Sequence, residues 1–267
     1  MEILGFLATV LMGILLGLAG GGGSILTVPI LVYLFGIDPV PATTYSLFLV
    51  GITSLVGTYS HFRKGNMHLP TALVFGPPSV LAVLAVRAWV LPAVPGIIWT
   101  TRYFVLTKSG LIMILFALLM LLAAVTMIRK PRRFANRSNP NHNYPVIFLE
   151  GLLVGGVTGL VGAGGGFLII PALVLLAGLP MKQAVGTSLL IIAVKSLAGF
   201  AGDMGMGQSL DYGLLMWFSI LSIGGILLGS YLTRFIPNEK LRPAFGWFVL
   251  VLGSIILALQ VMPVKSY

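Results

Sequence analysis

A glycine-rich segment occurs twice in this chain at a fixed spacing. The sequence GGGGS at residues 20–24 is followed 142 positions later by GAGGG at residues 162–166, and each copy leads into a short apolar stretch with a proline. Glycine is about 1 kcal/mol less favourable than alanine inside a helix, so a regular helix does not easily pass through either segment. The chain is therefore expected to fold as two related halves, each with a helix interrupted at the same place.

The composition places these halves in a membrane. The chain has 267 residues, of which 58% are hydrophobic and 8% charged, and its mean hydropathy is +1.06, whereas soluble domains carry about 25% charged residues. The apolar runs are about 20 residues long, the length that a helix needs to cross a bilayer, and they lack the alternation of a membrane β-barrel. The predicted fold class is an all-α polytopic membrane protein. Its predicted location is the plasma membrane, of the bacterial inner-membrane type.

The apolar runs predict ten helical segments. Two of them, 24–36 and 165–177, have thirteen residues, or about 20 Å of helix, and are too short to span comfortably. Each half is thus four long helices plus one short half-helix after its glycine break. The expected organisation is transmembrane repeat 1 at 1–128, a basic cytoplasmic linker at 129–144 and transmembrane repeat 2 at 145–267. The long segments are predicted at 3–19, 40–61, 69–90, 108–128, 145–162, 182–201, 211–233 and 241–261.

Basic residues favour one relative orientation of the two repeats. If each glycine break reverses the chain, the repeats are inverted, both termini lie outside, and four basic residues lie on the outer side: Arg87, Arg102, Lys108 and Lys265. The cytoplasmic side then holds eleven: Arg63, Lys64, Arg129, Lys130, Arg132, Arg133, Arg137, Lys182, Arg234, Lys240 and Arg242. If the chain continues straight through the breaks, the division is eight against seven. Cytoplasmic loops are enriched in Lys and Arg, so the sequence predicts inverted repeats.

The glycine breaks are candidate anion sites. Freed backbone groups at membrane depth are tolerated where protein or a water-filled cavity satisfies them, and a helix that begins after a break presents unpaired N–H groups and a positive dipole end. Broken helices at matching places of two repeats also mark the binding site in many transporters. The alternative is close helix packing through small residues. The residues expected to bind substrate at the breaks are Gly21, Gly22, Gly23, Ser24, Gly164, Gly165 and Gly166.

Lys195 is the one cation deep within an apolar segment. Its burial near the bilayer centre costs at least about 2.5–3.5 kcal/mol, so it is expected either to face a cavity or partner, or to extend toward the interface. Ser188 lies seven residues earlier on the same helix face. Together with Thr187, and with Ser46 on the related helix, these side chains predict a polar substrate path.

Three further ionisable residues lie near helix ends, and two of them have two interpretations each. His61 and Asp203 hold equivalent positions at the ends of matching helices, where they could carry a coupling proton or be ordinary interface residues. Arg87 is expected to reach the outer surface.

The glycine segments resemble those of the sulfite exporter TauE/SafE family. The resemblance rests on GLAGGGGS at 17–24 and GLVGAGGG at 159–166, and on AVGTSL at 184–189 with its weaker partner ATTYSL at 42–47. It extends from about residue 5 to residue 260. It implies a plasma-membrane transporter of small sulfur-containing anions such as sulfite or organosulfonates, often acting in export. The first repeat has Thr44 and Tyr45 where the second has Gly186 and Thr187, and this difference departs from a symmetric site.

The prediction is a secondary transporter with an anion bound at the paired breaks near the midplane. An anion channel with the same site, an intramembrane enzyme and an accessory subunit are the alternatives. No P-loop, cysteine, carboxylate pair or metal-ligand cluster occurs in the sequence, so neither catalysis nor a cofactor or metal is expected. The expected partners are the anion and the bilayer, with anionic lipid at 129–137. The net charge of +10 reflects these basic loops and does not indicate nucleic-acid binding.

Overall fold

In a computed structural model the chain forms a bundle of apolar helices. The structure describes residues 2–19, 21–101, 104–128, 144–175, 177–205, 210–232 and 238–261. Within these ranges it contains one β-hairpin and ten helices, numbered in chain order: α1 (Glu2–Ala19), α2 (Gly23–Leu34), α3 (Pro39–Arg63), α4 (Leu69–Ala93), α5 (Lys108–Ile128), α6 (Tyr144–Val161), α7 (Gly166–Leu175), α8 (Met181–Met204), α9 (Tyr212–Leu232) and α10 (Asn238–Val261). The all-α prediction and its ten segments are confirmed.

Six helices are long and apolar enough to cross a membrane by length and composition: α3, α4, α5, α6, α8 and α9. The apolar parts of α1 and α10 are shorter, at Leu4–Leu18 and Gly246–Gln260. The predicted basic lipid-binding loop at 129–137 lies outside the described residues.

The β-hairpin was not predicted from the sequence. Strands β1 (Ile97–Thr101) and β2 (Phe104–Thr107) pair antiparallel between α4 and α5, with Trp99 opposite Leu106. Ile97 and Trp99 are exposed. We call the end of the bundle that carries this hairpin the hairpin side, and the other end the opposite side.

The helices of the first half pack mainly on those of the second. Helix α6 runs parallel to α4, with contacts between Gly151 and Phe75, Gly155 and Ser79, and Gly159 and Val83. Helix α1 likewise runs parallel to α9, with Gly13 against Ser222 and Gly17 against Ile226. In both pairs glycines allow the backbones to touch, as in small-residue packing of membrane helices.

Two other pairs run antiparallel. Helix α3 crosses α8 with contacts between Leu47 and Gly199, Gly51 and Leu197, and Gly57 and Leu189. Helix α5 meets α10 through Met120 with Gly253 and Met127 with Gly246. Since the residue numbers rise on one helix as they fall on the other, the partners point in opposite directions.

The chain reverses direction at the first glycine break. Gly23 at the start of α2 contacts Met12 and Leu16 on α1, whereas Phe35 just after α2 contacts Gly5 near the start of α1. Helix α2 therefore folds back along α1, with 3₁₀ geometry in its first turn and π geometry at its end.

Candidate functional site

The two glycine breaks lie in contact with each other. Gly21 has a φ of 138°, and a methyl group at this position would lie 2.8 Å from the Cα of Gly166. Only glycine permits both this backbone conformation and such a close approach. The contact brings the amino-terminal ends of α2 and α7 together, so two positive helix ends face one region of the protein.

The second break depends on glycine along its length. Gly162, Gly164 and Gly165 have φ values of 69°, 42° and 75°, in the left-handed region that other residues rarely adopt. At the start of α7 the amides of Leu168 and Ile169 both donate to the Gly165 carbonyl oxygen, at 2.9 and 3.0 Å. The amides just before them, in the first turn, have no acceptor within the helix.

Lys195 reaches the second break. Its side chain is only 1% exposed, and its Nζ donates a hydrogen bond of 2.6 Å to Thr158 Oγ1 on α6. A methyl group at Gly165 would lie 3.0 Å from this Nζ. Within the described part of the chain no carboxylate pairs with Lys195. The ammonium group is therefore buried beside the positive end of α7, and none of the described residues supplies a counter-charge.

Close packing accounts for some of the predicted glycines. A methyl group at Gly23 would lie 2.6 Å from the Met12 carbonyl oxygen, and one at Gly164 would lie 3.2 Å from Ile192. Gly22 is the first residue of the 3₁₀ turn, Gly22–Leu26, that leads into α2. The packing interpretation thus applies directly to Gly23 and Gly164, and the approach to Lys195 belongs to Gly165.

The predicted hydroxyl residues lie in different surroundings. Ser24 donates to the Gly21 carbonyl at 2.7 Å, Thr187 accepts from the His68 amide at 2.9 Å, and Ser188 donates to the Val185 carbonyl at 2.8 Å. Ser24 therefore stabilises the turn of the first break. Ser46 is fully buried, and its Oγ has no hydrogen-bond partner.

Arg87 forms a buried ion pair with Asp203, and the expectation that it reaches the outer surface is wrong. Their side chains are 1% and 3% exposed. Arg87 Nε donates to Asp203 Oδ1 at 2.5 Å, and Nη1 donates to the Gly159 carbonyl at 3.0 Å. Nη2 donates to Thr43 Oγ1 at 3.2 Å and Thr44 Oγ1 at 2.8 Å, and Thr44 donates to Asp203 Oδ2 at 2.6 Å. Burial requires a partner for each charge, and the fold supplies one to each.

His61, which occupies the equivalent position to Asp203, has no such partner. Its side chain is half-buried, and its Nδ1 has no hydrogen bond. The pairing of Arg87 and the contact of Thr158 with Lys195 were both missed from the sequence. Opposite charges near the ends of two apolar helices are the one signal that could have suggested the first.

These features define a multi-pass helical membrane protein with a buried lysine beside two glycine breaks that touch. The chain belongs to the sulfite exporter TauE/SafE family, whose model matches residues 5–256. The resemblance seen in the sequence is thereby confirmed. Members of this family are membrane transporters and not enzymes, and the protein is accordingly a multi-pass transporter of the plasma membrane.

Several similar proteins carry a transporter description. The chain is 29% identical to a "Probable membrane transporter protein" of Xylella fastidiosa, covering 92% of this chain and 91% of that one. It is 28% identical to the "Probable membrane transporter protein YdhB" of Bacillus subtilis, covering 92% and 96%. It is 30% identical to the "Probable membrane transporter protein YjnA" of the same organism, covering 90% of this chain and 94% of that one. The similarity thus extends over nearly the whole length of each protein.

Proposed function

We propose that the protein is a secondary transporter that exports small sulfur-containing anions such as sulfite, and that it binds them between Lys195 and the paired glycine breaks. The observation that carries the proposal is the ammonium group beside Gly165, which is buried and has no carboxylate partner in the described residues. The choice of sulfur-containing anions follows from the family to which the chain belongs.

Electrostatics support an anion at this place. An ammonium group and the amino-terminal end of a helix both carry positive charge, so their proximity is unfavourable unless a negative charge lies near both. Sulfite and related oxyanions have several acceptor oxygens for ammonium and amide donors. A small anion of this kind would neutralise Lys195 and accept hydrogen bonds from the first turn of α7.

We further propose that residues 1–128 and 145–267 are inverted repeats. Helices α3 and α8 are equivalent under the 142-residue offset and cross antiparallel, and α2 folds back along α1. With a reversal at every connection, each repeat has five segments, an odd number, and the second repeat starts from the opposite side of the membrane. Inverted repeats place the equivalent breaks around one axis at midplane, in keeping with the contact between Gly21 and Gly166.

Burial of the residues on the predicted polar path favours a carrier over a channel. Lys195 is 1% exposed, and Ser46, Thr187 and Ser188 are all 0% exposed. A channel with the same anion site needs a continuous open path in its conducting state, whereas a carrier passes through a state closed on both sides.

Transport by purified protein in liposomes tests the proposal. Uptake of labelled sulfite, thiosulfate, sulfoacetate and sulfate is measured with and without a pH gradient, and then with unlabelled anion preloaded inside. The expected result is saturable sulfite uptake that preloading accelerates. Flux that neither saturates nor responds to preloading would indicate a channel, and no flux of any of the four anions would contradict the proposed function.

A further inference from the structure

The ion pair of Arg87 and Asp203 joins four helices at one point. Thr43 and Thr44 belong to α3, Arg87 to α4, the Gly159 carbonyl to α6 and Asp203 to α8. Arg87 lies in a π-helical turn, Val86–Val90, a distortion that is frequent at functional sites. The mutual bonds hold the hairpin-side part of these helices together.

This cluster lies between the proposed anion site and the hairpin side. Asp203 follows Lys195 by eight residues, about 12 Å along α8 toward its hairpin-side end. Thr43 lies in the first turn and a half of α3, and Gly162 of the second break packs against it. A path that follows α8 from Lys195 toward the hairpin side would therefore run beside the ion pair.

A buried ion pair is a weak source of stability, because removing two charges from water offsets most of their attraction. It is, however, sensitive to water. If the helices separate and water enters, each charge regains its hydration and the pair can come apart. These properties suit a contact that alternates between closed and open states.

The equivalent positions on the opposite side make different contacts. The residue equivalent to Thr44 is Gly186, which packs against Asn66 and His61, and the neighbouring Thr187 accepts a hydrogen bond from the His68 amide. The residue equivalent to Arg87 is Gly229. Among the described residues, the only ion pair lies on the hairpin side.

We propose that the Arg87–Asp203 pair is a gate that closes the hairpin-side path to the anion site, and that this path opens when the pair separates. The proposal rests on the proposed function, because it takes the region at Lys195 as the site to which the path leads. In this proposal Arg87 and Asp203 act by holding together the helices that border the path, and not by binding the anion.

Two matched cysteine reporters can test the gate without any measurement of transport. The natural sequence has no cysteine, so Ser46→Cys and Ser188→Cys each introduce a single thiol. Both serines are fully buried and equivalent under the 142-residue offset. Ser46 lies on α3 between Thr43 of the ion-pair cluster and Val50, against which Gly164 of the second break packs, whereas Ser188 lies next to Thr187 on the opposite side. The rate of labelling by a small hydrophilic thiol reagent is measured on the full-length protein in liposomes.

Asp203→Asn and Arg87→Gln are each combined with each reporter. We expect labelling at position 46 to rise at least about tenfold, because the rate follows the population of the open state, and labelling at position 188 to stay within about twofold. Each single substitution leaves one buried charge without its partner, whereas the double variant removes both charges. It therefore separates the effect of an unpaired charge from that of losing the pair, and it should also label faster at position 46. Asp38→Asn, an exposed carboxylate at the same end of α3 without a capping bond, should change neither rate.

Unchanged labelling at position 46 in all three gate variants would overturn the proposal. An equal rise at both reporters, together with a lower unfolding temperature, would also overturn it, because the pair would then stabilise the whole fold. If the labelling results are as expected but the protein transports none of the four tested anions, the gate proposal stands. The proposed transport function is then the part that is contradicted.

Discussion

Replacement of Lys195 by methionine should weaken anion binding and stabilise the protein at the same time. Methionine keeps an unbranched apolar side chain of similar length and fills irregular space well. The change removes the ammonium group that donates to Thr158 at 2.6 Å and has no carboxylate partner in the described residues. If Lys195 served the fold alone, its replacement by methionine would lower the stability of the protein. The change in affinity and the change in stability together therefore distinguish an anion ligand from a structural residue.

The expected size follows from the contacts of the ammonium group. A hydrogen bond to a charged group contributes about 1.5–3 kcal/mol, which corresponds to a rise of roughly 10- to 150-fold in the half-saturation concentration for sulfite. Charge at the centre of a membrane helix costs about 2.5–3.5 kcal/mol. After the bond to Thr158 is subtracted, the free energy of unfolding should rise by up to about 1–2 kcal/mol.

Sulfite uptake into liposomes and thermal unfolding in detergent, measured on the same preparation, check both parts. Lys195→Arg should keep part of the affinity because it retains the charge, although its planar group is wider. Lys182→Met is the matched control, because this lysine lies on the same helix and is exposed; it should change neither quantity. An unchanged half-saturation concentration in Lys195→Met, or a clear loss of stability, would refute the role of Lys195 as an anion ligand.

Three further changes test the site and the topology. Gly165→Ala puts alanine at a φ of 75° and places its methyl group 3.0 Å from the ammonium group, so sulfite uptake should fall at least about tenfold and stability by about 1–2 kcal/mol. The control Gly156→Ala, whose methyl group would have its nearest neighbour at 3.9 Å, should leave uptake normal. Equal losses of uptake in both variants would argue against the site. Thr158→Val removes the partner of the ammonium group and should weaken sulfite binding severalfold, about the effect of one hydrogen bond; unchanged affinity would show that this contact does not orient the lysine. Single cysteines at the exposed positions Lys64 and Asp211 should react with an impermeant thiol reagent from opposite sides of the membrane, and reaction from the same side would contradict inverted repeats.

Local features of the sequence were sufficient for the helices. The apolar run at 108–128 has the bounds of α5, and the predicted breaks at 20–23 and 162–166 coincide with the ends of α1 and α6. Helix length, glycine clusters and apolar composition are properties of neighbouring residues, so no knowledge of the rest of the chain was needed. The hairpin escaped because its strands are only five and four residues long and lie within an apolar connection.

Only the tertiary structure decided which buried charges have partners. Arg87 and Asp203 are 116 residues apart in the chain, and a basic residue near the end of a membrane helix can equally well extend to the interface. The sequence identified Lys195 as costly to bury, but its contact with Thr158 and Gly165 depends on how α8 packs against α6 and the second break. The hydroxyl of Ser24, a predicted anion ligand, donates to the Gly21 carbonyl within the turn of the first break. The sequence by itself determined the class of protein, the helices and the positions of their breaks, because these follow from local composition; which polar groups meet was decided by the packing of distant helices, because each such group had more than one way to be satisfied.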